Sequence, residues 1–192
     1  MKIVFFESPA VDKTIIEQSL GDMEVSFCDQ KLDKDSIDKA KEVDIVSIFI
    51  DSVISKDIID SLPNLKFIAT RSTGFEHIDL PYCAQKGILV SYVPSYGDHT
   101  VAEIAFGFIL NLSRNILKAN NHIRETSDFN LSSSFRGFDL NNKTIGVIGT
   151  GRIGKNVIKI AKGFNMNVIA CDFHPDLEFA KINNFEYKNF EE

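Results

Sequence analysis

Apolar residues fall in short runs, separated by amphipathic stretches and by glycine or proline stops. The runs at 2–7, 24–28, 44–50, 65–70 and 88–93 are rich in Ile, Val and Phe and read as strands. Between the first two, Ile15, Ile16 and Leu20 share one side of a helix that Asp12 would cap and Gly21 would stop. Polar 33–41, 55–62 before Pro63, and 79–86 before Gly87 read as further helices. Strands alternating with helices in this way make a parallel sheet with helices on both faces. The first strand-to-helix turn, Ser8-Pro9-Ala10, has no glycine fingerprint. This half is therefore expected to be a flavodoxin-like doubly wound domain that does not itself bind a dinucleotide.

A long helix follows. Thr100-Val101-Ala102-Glu103 fits a capping box. Val101, Ile104, Ala105, Phe108, Ile109, Leu112 and Ile116 keep the helical period, and Ala102, Phe106 and Leu110 add a second apolar side. The first three turns are expected to be buried nearly all round. At ~1.5 Å per residue, a helix over 98–125 could reach from one domain to another. Residues 126–142 read as a loop, and a second domain begins near Lys143.

The second domain opens on Thr144-Ile145-Gly146-Val147-Ile148-Gly149-Thr150-Gly151-Arg152-Ile153-Gly154: an apolar strand, a glycine-rich turn and a helix start. Gly149 permits the tight turn, Gly151 lets backbone approach a pyrophosphate, and Gly154 lets the helix lie close to its strand. The N–H groups of Thr150 to Ile153 would face phosphate oxygens at the positive end of the helix dipole. Val157, Ile160 and Ala161 share a helix face, and a second strand over 167–172 ends in Asp172, placed to hold both ribose hydroxyls of an adenosine. The alternative is a glycine turn in an α/β domain that meets no phosphate.

Composition narrows the class. With 192 residues, 44% apolar and 25% charged, the chain is ordinary globular protein, and its net charge of −6 with no basic block gives no support to nucleic-acid or membrane-surface binding. The apolar run from Ile3 to Phe6 is too short for a signal core or a membrane span. Cys28, Cys83 and Cys171 are odd in number and widely spaced, which suggests reduced residues in a cytoplasmic protein rather than disulfides or metal ligands. Asn111-Leu112-Ser113, Asn130-Leu131-Ser132 and Asn142-Lys143-Thr144 read as chance glycosylation patterns, and no metal-ligand spacing occurs. Of the histidines only His99, beside the long helix's start, has a suggestive position.

Three motifs together carry a family resemblance: residues 71–79 (Arg71-Ser72-Thr73-Gly74-Phe75-Glu76-His77-Ile78-Asp79), Val93-Pro94-Ser95-Tyr96 leading into Thr100-Val101-Ala102-Glu103, and the glycine motif. In this order and spacing the chain resembles the N-terminal part of the D-isomer-specific 2-hydroxyacid dehydrogenases, along essentially its whole length. The resemblance implies a substrate domain at 1–97, an interdomain helix at 98–125, a loop at 126–142, and the N-terminal part of an NAD-binding Rossmann domain at 143–192. It implies that amides at Thr73 and Gly74 take the substrate carboxylate and that Tyr96 lines the pocket. Gly74 as a mere turn glycine and Tyr96 as a packing residue are the plainer alternatives, and Arg71 reads either as a site residue or as a structural one. Gly149, Thr150, Gly151, Arg152, Ile153 and Gly154 would cradle the pyrophosphate, with Asp172 selecting NAD over NADP.

The resemblance also implies reduction of a small 2-oxo acid to the D-2-hydroxy acid, with homodimers in the intact protein. The family's catalytic Arg, Glu and His lie beyond residue 192, so no catalytic residue is assigned, and the chain alone is expected to be inactive. Tyr96-Gly97-Asp98 stands where formate-using relatives carry an asparagine. Arg71 is the only basic residue of its loop, which favours a singly charged acid such as pyruvate. A non-catalytic module that binds NAD or dimerises is the rival reading. Strand residues 145–148 and 168–170 are expected to lack a neighbour on one side.

Overall fold

A computed structural model describes residues 1–130 and 132–191, so Leu131 of the second glycosylation pattern and Glu192 of the last domain lie outside the described residues. The chain divides into two compact units, Met1–Tyr96 and Gly97–Glu192.

In the first unit, β1 (Lys2–Phe6), β2 (Glu24–Cys28), β3 (Ile45–Ile48), β4 (Phe67–Thr70) and β5 (Leu89–Ser91) form one parallel sheet in the order β2-β1-β3-β4-β5. This is the flavodoxin-like order, with its switch between β1 and β3. Val4, Phe6, Val46, Ile48 and Ile68 line one face of the inner strands and are fully buried, while Ile3, Phe5 and the polar Ser47 are buried on the other. The connections are α1 (Ala10–Leu20), a 3₁₀ turn (Ile37–Ala40), α2 (Lys56–Asp60) and α3 (Leu80–Lys86). Asp79 caps α3 by accepting from the Tyr82 N–H at 3.0 Å.

Two expectations fail locally. Helix α1 begins at Ala10 with Pro9, not Asp12, at the cap, since proline's fixed φ of −65° already suits a helix entry. Residues 33–41 form no α-helix beyond the 3₁₀ turn. Asp33 Oδ1 accepts from the Asp35 and Ser36 amides, and the Ser36 hydroxyl donates to Lys31 O at 2.6 Å. These local bonds compete with a helical ladder.

The second unit contains α4 (Asp98–Arg114), α5 (Ile116–Thr126), a 3₁₀ turn (Ser133–Phe135), β6 (Thr144–Ile148), α6 (Arg152–Gly163), β7 (Asn167–Cys171), α7 (Leu177–Asn183) and β8 (Glu186–Tyr187). The single helix expected over 98–125 is two helices. Asn115 breaks it in the left-handed region (φ 54°), which asparagine tolerates better than most residues. The Asn111 side chain accepts from the Leu117 N–H at 2.8 Å, and Asn115 Nδ2 donates to Arg136 O at 3.2 Å. The capping box at Thr100 does not form either: Gly97 is the cap, and Thr100 lies inside the first turn.

Nor is α4 buried all round. Ala102 and Phe106 are buried, with Phe106 stacked on Phe164 at 5.5 Å, whereas Ile104, Phe108 and Leu112 are exposed. Among the elements of this unit, α4 packs chiefly against α6, which covers only one side.

Strands β6, β7 and β8 form a parallel sheet in that order. The expectation that 168–170 lack a neighbour fails for Ile169 and Ala170, which pair with Glu186 and Tyr187 on the side away from β6, and holds for Val168. Strand β6 is an edge, with Ile148 exposed. Ile158, Ala161, Val147, Val168 and Ala170 form the core under α6. No helix among the described residues is long and apolar enough to cross a membrane.

Asn115→Ala removes both the tolerance for a left-handed backbone and the bond to Arg136. It should lower the unfolding free energy of the second unit by about 1–2 kcal/mol in denaturant melts, and Asn115→Gly should lower it by less.

Candidate functional site

The glycine turn is built by close approach. Gly149 has φ 85° and donates its N–H to Cys171 O at 2.8 Å, tying the turn to the end of β7. A Cβ on Gly154 would sit 2.0 Å from Gly149 O, so only glycine lets α6 begin so close to the end of β6. Gly151 differs: a Cβ there would meet nothing of this chain within 4 Å. No packing among the described residues calls for glycine at 151, and the space beside its backbone is open.

Arg152, Ile153 and Gly154 lie in the first turn of α6, where amides have no carbonyl one turn back, so their N–H groups are available to an anion. Thr150 departs from expectation. Its N–H is taken by Asp172 Oδ2, so that amide is not free for phosphate. The Arg152 side chain is paired with Asp98 of α4 at 3.2 Å, which leaves its amide as the group directed by the helix start.

Asp172 turns toward the glycine motif. Oδ2 accepts from both the N–H and the hydroxyl of Thr150, and Oδ1 accepts from the His174 N–H at 2.9 Å. The amides of His174 and Thr150, followed by the Thr150 hydroxyl, hold its pKa down at about 2, so the carboxylate is charged across the neutral range. The loop beyond it is fastened by Asp176, whose carboxylate accepts from the Phe179 N–H and pairs with Lys155 of α6. The Lys155 ammonium lowers the Asp176 pKa, and Asp176 raises that of Lys155. Tyr187, on β8, also enters the network, with its hydroxyl 2.8 Å from Thr150 Oγ1. The sequence reading missed it, since one tyrosine 37 residues beyond the turn carries no spacing signal.

In the first unit the residues between β4 and α3 form a loop held by hydroxyl and backbone bonds. Ser72 donates to Gly74 O at 2.6 Å, and Thr73 Oγ1 donates to Val93 O at 2.9 Å. The Val93 N–H in turn donates to Ser72 O at 3.1 Å, which joins this loop to the segment leading to Tyr96. The Thr73 and Gly74 amides find no acceptor among the described residues. Such N–H groups are suited to a carboxylate. Tyr96 is exposed.

Arg71 is turned away from this loop. Its guanidinium donates to the carbonyls of Phe6 and Glu7, both at 2.8 Å, and to Ser47 Oγ at 3.0 Å, and burial pushes its pKa down. It bolts β4 to the ends of β1 and β3. His99 lies exposed in the first turn of α4.

Comparison with known proteins identifies the family. The family model for "D-isomer specific 2-hydroxyacid dehydrogenase, catalytic domain" matches residues 3–180. A 2-hydroxyacid dehydrogenase homolog of Zymomonas mobilis is 34% identical over all of this chain and 59% of its own length. The D-lactate dehydrogenase of Escherichia coli is 34% identical over 91% of this chain and 54% of its own. Among solved structures, the D-lactate dehydrogenase of Aquifex aeolicus complexed with NAD and lactic acid superposes with a TM-score of 0.88 at 32% identity, covering 97% of this chain and 55% of that one. The chain belongs to the D-isomer-specific 2-hydroxyacid dehydrogenase family, and it spans little more than half the length of the curated relatives it matches.

Gly154→Ala should destabilise the second unit by about 1–3 kcal/mol, because α6 must shift off Gly149, whereas Gly151→Ala should leave the melt within about 0.5 kcal/mol of the parent. Asp172 should titrate with a carboxyl NMR midpoint near 2. Because its folded pKa is depressed, its stabilising contribution is full above the unfolded value of about 3.9 and is lost as pH falls through the folded midpoint.

Proposed function

We propose that this chain supplies the dinucleotide turn and the carboxylate loop of an NAD-dependent dehydrogenase that interconverts a small 2-oxo acid and its D-2-hydroxy acid. Bound NAD would supply the hydride acceptor, and its reduced form the donor. The observation that carries the reading is the open backbone at Gly151, beside the unpaired first-turn amides of α6 and across the turn from ionised Asp172.

The chain's own residues divide the work of binding. Gly151, Arg152, Ile153 and Gly154 present amides to the diphosphate while Gly149 holds the turn. Thr150 contributes by holding Asp172 rather than by meeting phosphate. Asp172 accepts from the adenosine ribose, and its charge disfavours a 2′-phosphate. Thr73 and Gly74 offer two amides to the substrate carboxylate, and Tyr96 lines the pocket. With Arg71 spent on Phe6, Glu7 and Ser47, the loop holds no free cation for a second anionic group. That favours a small monoanion such as pyruvate.

No residue of 1–192 corresponds to the family's catalytic Arg, Glu or His, so these residues by themselves bind without turning over. In the intact enzyme two copies associate through α4, whose exposed Ile104, Phe108 and Leu112 favour such a contact, and the protein works in the cytoplasm.

Calorimetry tests the central reading. The chain should bind NADH, and Gly151→Ala should weaken binding at least about tenfold with an unchanged melt, because the added methyl fills space that only the cofactor uses. Equal affinity in the two proteins would sink the proposal. NADH oxidation with pyruvate by residues 1–192, at about 1 s⁻¹ or more, would overturn the assignment of catalysis outside them.

A further inference from the structure

The hydrogen bonds around Asp172 have a fixed direction, and that direction reaches β8. An ionised carboxylate only accepts, so the single hydroxyl proton of Thr150 is committed to Asp172 Oδ2 at 2.8 Å. The 2.8 Å contact between Thr150 Oγ1 and Tyr187 Oη must then have Tyr187 as donor. Tyr187 Oη in turn accepts from the Asp176 N–H at 3.2 Å. The chain runs one way: Asp176 N–H to Tyr187, Tyr187 to Thr150, Thr150 to Asp172.

Each carboxylate oxygen has two lone pairs. Oδ2 uses both on Thr150, and Oδ1 uses one on the His174 N–H, so a single acceptor position remains, room for one ribose hydroxyl rather than the two expected from the sequence. Thr150 is buried, and the Tyr187 ring is braced edge-on against Phe185 at 5.2 Å and held in register beside Ala170, so the donors have little freedom to swing away.

Resting on the reading of Asp172 as the ribose acceptor, we propose that Thr150 and Tyr187 are positioning residues for cofactor selection. They fix the carboxylate so that Oδ1 presents one lone pair to a free ribose hydroxyl, and they leave Asp172 unable to rotate away from a 2′-phosphate. Tyr187 touches no cofactor atom in this account. It acts through Thr150, and β8 is thereby part of the discrimination between NADH and NADPH.

The test is titration of the full chain with NADH and with NADPH, for the parent and for Tyr187→Phe, Thr150→Val, Thr150→Ser and Asp172→Ala, each first shown to be folded. Tyr187→Phe and Thr150→Val should each lose about three- to tenfold in NADH affinity, the scale of one hydrogen bond to a charged group, while NADPH affinity holds or rises. The preference ratio therefore narrows. Thr150→Ser, which keeps the hydroxyl, should restore it, and the carboxyl NMR midpoint of Asp172 should rise in Thr150→Val. A merely structural role would weaken both nucleotides alike and leave the ratio in place; that outcome overturns the proposal. If Asp172→Ala loses NADH affinity while Tyr187→Phe and Thr150→Val keep the parent ratio, the positioning role fails and the ribose reading stands. If Asp172→Ala binds NADH as the parent does, both fall.

Discussion

The second unit depends on one contact: the backbone of Gly154 lying against the carbonyl of Gly149, at a separation no side chain would permit. It lets α6 start with only the three residues of the turn, 149–151, between it and β6. The first-turn amides then project past the strand end, where the parallel sheet already directs its carboxyl ends. The bond from Gly149 N–H to Cys171 O fixes the next strand end beside the turn, so Asp172 arrives opposite the amides without a separate device. Helix dipole, free donors and the ionised carboxylate beside them thus follow from a single close approach.

The first unit reaches a comparable end by other means. Its loop between β4 and α3 has no helix start pressed onto a strand. The chain is held by small hydroxyls: Thr70 and Ser72 are buried and bonded to one another, and Thr70 lies 3.3 Å from His77 Nε2. The Ile54 N–H donates to His77 O at 2.8 Å, and the Asp79 N–H donates to Ile54 O at 3.0 Å, which pins the far side of the loop to the segment after β3. Backbone donors without an acceptor among the described residues occur in both units, but one set is held by glycine contact and the other by hydroxyl networks.

Much of this was legible in the sequence, for physical reasons that also mark where reading stops. Runs such as Ile45–Ile48 announce strands because a buried parallel sheet favours apolar, β-branched residues, Ser47 being the one polar position and bonded to Arg71. Gly149 and Gly154 announce the turn because backbone conformation and contact there exclude side chains. The break at Asn115 left no such mark: the apolar period runs through it, and the side-chain bonds of Asn111 and Asn115 that stabilise it depend on where Leu117 and Arg136 lie in space. The same holds for Thr150 and Tyr187, whose partnership needs the register of β8 against β7. Arg71 was ambiguous in sequence because a lone arginine beside a glycine loop looks the same whether it faces ligand or scaffold. Only its three acceptors decide.

Those acceptors connect positions far apart in the chain. Arg71 grips Glu7 O, while the Glu7 carboxylate receives the Phe49 N–H at 2.9 Å, the Asp51 N–H at 2.8 Å and the Ser52 hydroxyl, and Ser52 Oγ accepts from the Leu32 N–H at 2.8 Å. Groups bound in one network do not contribute independently. Losing the Glu7 carboxylate would strip an acceptor from the Phe49 and Asp51 amides and from the Ser52 hydroxyl together, whereas Arg71 would keep its bond to the main-chain carbonyl at position 7.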